Sequence, residues 1–194
     1  MSQPATLRIL AVSGSLRTGS YNTALLRAAI DSAPPQLSIL RHDIRPIPFF
    51  DADVEREGDP QAIVDFKAAI SAADGLLIAT PEYHHSIPGV LKNALDWAGR
   101  SPKGVTNASL AGKPVGIMGT GGAAGTSRAQ LHLRQVLAET RSYVMIEPTV
   151  LVPLARQKFD DGGKLLDEAV RKQVTDFMAA FAVWVLKIRS ITSA

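Results

Sequence analysis

Eleven consecutive residues, Ser13-Gly14-Ser15-Leu16-Arg17-Thr18-Gly19-Ser20-Tyr21-Asn22-Thr23, bring hydroxyls, an amide and a guanidinium together directly before a stretch with helical spacing. The start of a helix leaves backbone N–H groups without acceptors and carries the positive end of the helix dipole, so a phosphate placed there is favoured. Side-chain donors add to this. Each hydrogen bond to a charged acceptor is worth about 1.5–3 kcal/mol, so roughly four would offset the cost of holding a nucleotide. The same residue types also cap helices with no ligand present, which is the plainer reading of the stretch. Gly14 and Gly19 have the spacing of a nucleoside-triphosphate loop, but Ser20 stands where that motif needs Lys. Leu16 stands where a pyrophosphate-binding turn needs its second Gly.

A second stretch, Pro81-Glu82-Tyr83-His84-His85-Ser86-Ile87-Pro88, is stiffened at both ends by proline. A rigid loop offering backbone N–H groups and an aromatic side chain can hydrogen-bond the polar edge of a flat heterocycle and cover part of its face. A third, Gly119-Thr120-Gly121-Gly122-Ala123-Ala124, fits a G-x-G-x-x-A dinucleotide fingerprint, with Glu147 about as far on as a ribose-binding acid. That reading leaves the first two stretches unexplained. A glycine-rich loop that keeps side chains clear of a planar ring accounts for the same residues.

Gly14-Ser15-Leu16-Arg17 with Ser20 and Asn22, followed by Pro81-Glu82-Tyr83 and by Pro88-Gly89-Val90-Leu91-Lys92-Asn93-Ala94-Leu95-Asp96-Trp97, resembles the NADPH-dependent FMN reductase family, in particular its chromate- and quinone-reducing branch. The resemblance runs from the first strand to about Met145. It implies a flavodoxin-like fold with FMN as cofactor and NADPH or NADH as electron donor. Ser15, Arg17, Ser20, Asn22 and Thr23 would hold the phosphate, and Tyr21 and Ser86 would also belong to the cofactor site. Pro81, Glu82, Tyr83 and His84 would lie along the isoalloxazine, and Thr120, Gly121 and Gly122 would border it from the other side. His84 departs from the family's common Asn.

The implied activity is an NAD(P)H oxidoreductase that passes two electrons, in ping-pong fashion, to quinones, azo compounds, chromate or free flavin. Flavin N5 would carry the hydride, so no side chain is assigned as catalytic. A homodimer or homotetramer is implied too, with the helix after Pro88 and Arg128 at the subunit boundary. Two other functions remain: a one-electron carrier of flavodoxin type, disfavoured because such carriers are typically acidic, and a dinucleotide-binding regulator built on the Gly119 loop.

Strands and helices must position these stretches. Apolar runs at Leu7–Val12, Leu37–Leu40, Gly75–Thr80, Val115–Met118 and Tyr143–Val152, the last interrupted by Pro148, read as five strands. Between and after them, helical spacing covers Asn22–Ile30, a segment capped by Asp59 with Pro60 in its first turn, Pro88–Ala98, Ser127–Thr140 and Asp167–Ile188. Strands alternating with helices predict an α/β fold, a doubly wound five-stranded parallel sheet with helices on both faces, formed as one domain over residues 1–194. Ligands in such sheets bind beyond the carboxyl ends of the strands, and the loops after the first, third and fourth strands lie there.

Composition narrows the function classes. With 194 residues and no cysteine, disulfides, iron–sulfur clusters and thiol nucleophiles are out of play, and a cytoplasmic location is expected. A net charge of +3, spread without blocks, suits small anionic ligands and argues against nucleic acid. The apolar run Met178–Leu186 is too short for a membrane span, and the N-terminus lacks a signal-peptide layout.

His84 and His85 show no metal-ligand spacing. His132 reads as a solvated or capping residue, Trp97 and Trp184 as core or interface. Lys92 and Asp96 form an i,i+4 ion pair. Ser13 has no Ser-His-Asp partners.

Overall fold

The computed structural model describes residues 6–100 and 109–192. Seven residues of the first apolar run, Leu7–Ser13, form β1, which enters α1 (Tyr21–Asp31) through the Ser-rich loop. Then come β2 (Leu37–His42), α2 (Ala52–Glu57), α3 (Gln61–Ala72), β3 (Gly75–Ala79) and α4 (Gly89–Ala98). The chain continues through β4 (Pro114–Thr120), α5 (Ser127–Glu139), β5 (Tyr143–Val144), β6 (Val150–Val152), a 3₁₀ turn at Ala155–Gln157 and α6 (Glu168–Thr192). No described helix is long and apolar enough to cross a membrane.

The strands order as β2-β1-β3-β4-β5, with β6 also on β4, and every pair is parallel. This is a flavodoxin-like α/β fold, whose winding reverses between β1 and β3. All five residues of β3 and all seven of β4 are buried, as required of strands covered on both faces. Leu25 and Leu26 of α1 pack with Val174, Phe177 and Phe181 of α6 on one side. Phe66 and Ile70 of α3, Leu91 and Leu95 of α4, and Leu133 and Leu137 of α5 fill the other.

Three expectations need correction. The fifth strand is two short strands on one edge of β4: Tyr143 lies opposite Pro114 and Val150 opposite Met118. Pro148 between them has no N–H to give a ladder. Asp59 does not cap α3. Pro60 holds the cap position with no side-chain bond, and Asp59 is instead paired with Lys67 at 2.7 Å. Finally, α2 was not expected. Six residues are too few to display a period, and the helix rests on Asp51, whose carboxylate accepts from Asp53 N.

Candidate functional site

The loops after β1, β3, β4 and β6 meet at the carboxyl edge of the sheet and enclose a cavity of about 450 Å³. They are cross-tied by backbone bonds. Gly14 N–H donates to Ala79 O, Gly121 N–H to Val152 O, Leu154 N–H to Gly122 O and Ala155 N–H to Gly121 O.

One wall is the start of α1. Ser20 is its cap, accepting from Thr23 N–H at 3.3 Å, while the N–H groups of Tyr21 and Asn22 find no acceptor among the described residues. Ser15, Arg17, Ser20, Tyr21 and Asn22 all line the cavity. The Arg17 guanidinium lies 5.3 Å from the centre of the Tyr21 ring, an arrangement that orients a cation while leaving its donors available. Asn22 has a second task. It is buried, and its amide accepts from Thr120 N–H at 3.0 Å and donates to Thr120 O at 2.9 Å. Its side chain therefore ties α1 to the end of β4, and what it offers a ligand is its backbone N–H.

The opposite wall is the loop after β3. Tyr83 and Ser86 exchange both backbone hydrogen bonds at 3.0 Å, and His84 and His85 between them have φ of 49° and 62°. Two consecutive left-handed residues make a tight turn of the type that suits hairpins, and Asn, Asp and His are the side chains that enter this region most readily. Asn and His at position 84 thus answer the same backbone demand. Tyr83 is half exposed at the cavity mouth.

Glu82 fixes this hairpin. Its Oε2 accepts from the backbone N–H groups of Arg128 and Ala129 at 2.9 and 3.1 Å, and its Oε1 lies 3.5 Å from Arg128 Nη1. The cap residue of α5, Thr126, makes no side-chain cap bond. A carboxylate from a neighbouring loop thus supplies the negative charge that the helix start favours.

The floor is the glycine loop. A Cβ on Gly119 would collide with Thr126 Oγ1 and Thr80 O, and one on Gly121 would stand 2.5 Å from Gly125 O. One on Gly122 would meet nothing within 4 Å, so the space above it is open. Thr120 Oγ1 is buried at the cavity without a hydrogen-bond partner. Buried polar atoms are normally satisfied, so this hydroxyl marks a place in the floor where a polar partner is missing. The free helix-start amides, the orphaned hydroxyl and the open space over Gly122 fit a flat ring system carrying a phosphate.

A family described as NADPH-dependent FMN reductase matches residues 7–157. The chain belongs to that family. It is 44% identical over 184 residues to an NAD(P)H-dependent FMN reductase of Pseudomonas aeruginosa, covering 94% of this chain and 97% of the relative. It is 42% identical over 180 residues to a 2-hydroxy-1,4-benzoquinone reductase of a Burkholderia species, covering 92% and 96%. Among solved structures, the flavoenzyme NAD(P)H:(acceptor) oxidoreductase FerB of Paracoccus denitrificans superposes with a TM-score of 0.84 at 30% identity, covering 94% of this chain and 98% of that one.

Within this FMN reductase fold, eleven of the fourteen residues expected at the cofactor line one cavity. Thr23, His84 and Ser86 are the exceptions. Thr23 faces away, its hydroxyl 2.8 Å from Ser13 Oγ. His84 is exposed at the hairpin tip. Ser86 Oγ lies 3.0 Å from Nδ1 of His132, which is exposed as expected.

Sequence reading missed Leu154, Ala155, Arg156 and Gln157, which close the cavity from the turn after β6. The carboxyl-rim rule applied to the last strand as well would have found them. Trp97 is fully buried, donating to Pro48 O at 2.9 Å, and Lys92 pairs with Asp96 at 2.5 Å. Among the described residues, no three His, Asp or Glu side chains cluster as a cation site.

Proposed function

We propose that this protein holds one FMN in the 450 Å³ cavity and works as an NAD(P)H oxidoreductase for small acceptors, quinones foremost and azo compounds, chromate or free flavin as further members. The observation that carries this reading is the pairing, in one cavity, of free amides at the start of α1 with the orphaned Thr120 hydroxyl beside an open glycine. The quinone preference draws on the benzoquinone reductase relative. Bound FMN supplies reversible two-electron chemistry at its ring.

The chain's own residues do the rest. Tyr21 and Asn22 N–H, Ser15, Ser20 and Arg17 anchor the phosphate. Pro81, Glu82 and Tyr83 align the ring along the hairpin, with the Glu82 carboxylate acting through α5 to hold the hairpin still. Thr120 donates to the cofactor, and Gly121 with Gly122 keeps side chains off the face that donor and acceptor occupy in turn. Sharing one face demands ping-pong kinetics. No side chain is assigned as nucleophile or obligatory acid.

The same reading includes a cytoplasmic location and a homodimer or pair of dimers, with α4 at the boundary and exposed Arg128 beside it. A groove of about 950 Å³ between α4 and α5 offers the surface.

Steady-state rates with NADPH and a benzoquinone, each varied at several levels of the other, test the reading. Parallel double-reciprocal lines are expected. Protein that retains FMN, forms a stable one-electron state and ignores NADPH and NADH would instead be a carrier.

A further inference from the structure

Behind the phosphate loop, between the carboxyl ends of β1 and β2, lies a second cavity of about 270 Å³. Its walls carry Arg17, Arg27, Arg41 and Arg45, with His42 and a single carboxylate, Asp43. Ser15 and Arg17 line both cavities, so the two adjoin. Tyr21 and Asn22, whose amides are free, line the larger cavity and not this one, which leaves the smaller open to a different anion.

The lone acid is already engaged. Asp43 accepts from Arg45 N–H at 3.0 Å, and its other oxygen lies 3.5 Å from Arg45 Nη1. Arg45 Nη2 donates to Leu16 O at 2.8 Å, which pins the phosphate loop against the end of β2. Arg27 and Arg41 have no carboxylate partner among the described residues. Arg27 also borders the neighbouring cavity beside Asp160 and Asp161, which Arg41 does not line. Several guanidinium groups around one hollow repel each other unless an anion joins them, and the planar fork of Arg is matched to phosphate oxygens. The cavity is too small for a whole nucleotide, since ligand sites of drug size run from about 300 to 1,000 Å³, but it has room for a phosphate with part of a sugar.

NADPH differs from NADH only by the 2′-phosphate on its adenosine ribose, a dianion that an unpaired Arg fork matches and a free carboxylate repels. Here the acid is tied back and Arg41 is not. We propose that this cavity is the subsite for the 2′-phosphate of NADPH, with Arg41 as the residue that selects NADPH over NADH. The assignment rests on the reading of the protein as an NAD(P)H oxidoreductase.

The test is calorimetry on the FMN-loaded protein with adenosine 2′,5′-bisphosphate, 5′-AMP and inorganic phosphate, repeated with Arg41→Gln and Arg41→Lys. The bisphosphate is expected to bind about tenfold or more tightly than AMP, as one charge-assisted phosphate contact provides. Arg41→Gln removes that advantage and Arg41→Lys keeps part of it. In turnover, Arg41→Gln raises KM for NADPH by a similar factor and leaves kcat and both constants for NADH unchanged. Equal binding of bisphosphate and AMP overturns the proposal. So does inorganic phosphate that binds through Arg41 while the 2′-phosphate brings no gain, which would mark a site for free phosphate. Discrimination between bisphosphate and AMP in a protein that oxidises neither NADPH nor NADH would leave the subsite standing and sink the oxidoreductase reading instead.

Discussion

Asn22 shows how one residue can be found for one reason and kept for another. Its place in the Ser-Arg-Asn loop marked it as a phosphate ligand, yet its side chain is consumed by both backbone groups of Thr120. Nothing in sequence spacing announces a bond across 98 positions. Asn22→Ala leaves a buried N–H and C=O at the end of β4 without partners, at about 1–3 kcal/mol for each unsatisfied group. We expect a clear drop in the denaturant midpoint, together with weaker FMN retention because Thr120 also lines the cavity. An unchanged midpoint would mean that this tie does not stabilise the fold.

His84 makes a second prediction at the same scale. With φ at 49° and its side chain outside the cavity, His84→Gly relieves the left-handed position at small cost, while His84→Val is destabilising by about 1–2 kcal/mol. Thermal midpoints ordered Gly at or above His, and His above Val, are expected. The reverse order would contradict a backbone role for this position.

At the scale of elements, what was legible followed from periodicity. The runs at β1, β3 and β4 are apolar because both faces are covered, and α6 shows its inner face through Val170, Val174, Phe177, Phe181 and Val185. The features that escaped carry no period: the six residues of α2, the division of the fifth strand into β5 and β6, and the single turn after β6. They are held by tertiary contacts.

In α2 the Glu55 carboxylate accepts from Arg100, with Nη2 at 2.6 Å and Nε at 3.1 Å, and Arg100 also lies 5.1 Å from the Phe50 ring centre. The bond from Arg100 holds Glu55 below its usual pKa of 4.5. A depressed folded-state value contributes stability that is present above the unfolded pKa and lost as pH falls through the folded one. The stability gap between the native chain and Glu55→Gln should therefore be flat from neutral pH to about 4.5 and close below it. A gap independent of pH down to 3 would show that the pair adds nothing. Arg100 is half exposed, so the gap at neutral pH should be small.

For the whole molecule, a doubly wound parallel sheet was readable because alternating strands and helices admit few right-handed arrangements; the strand order and the reversal between β1 and β3 are what the structure adds. They place four loops on one rim, and most of the expected site follows from that placement alone. What the sequence could not display is how the loops brace one another. Glu82 serves as the cap of α5, Asn22 as a clamp on β4, Arg45 as a strut under Leu16, and each joins segments at least 29 positions apart. The loops are thus cross-braced before any ligand arrives, and such pre-organisation lowers the ordering cost of binding. Flavin content after reconstitution tests this account most directly: protein incubated with excess FMN and passed through a desalting column should keep one flavin per chain, with Arg17→Ala retaining much less. A colourless native protein, or an Arg17→Ala variant that holds flavin as firmly as the native chain, would contradict it.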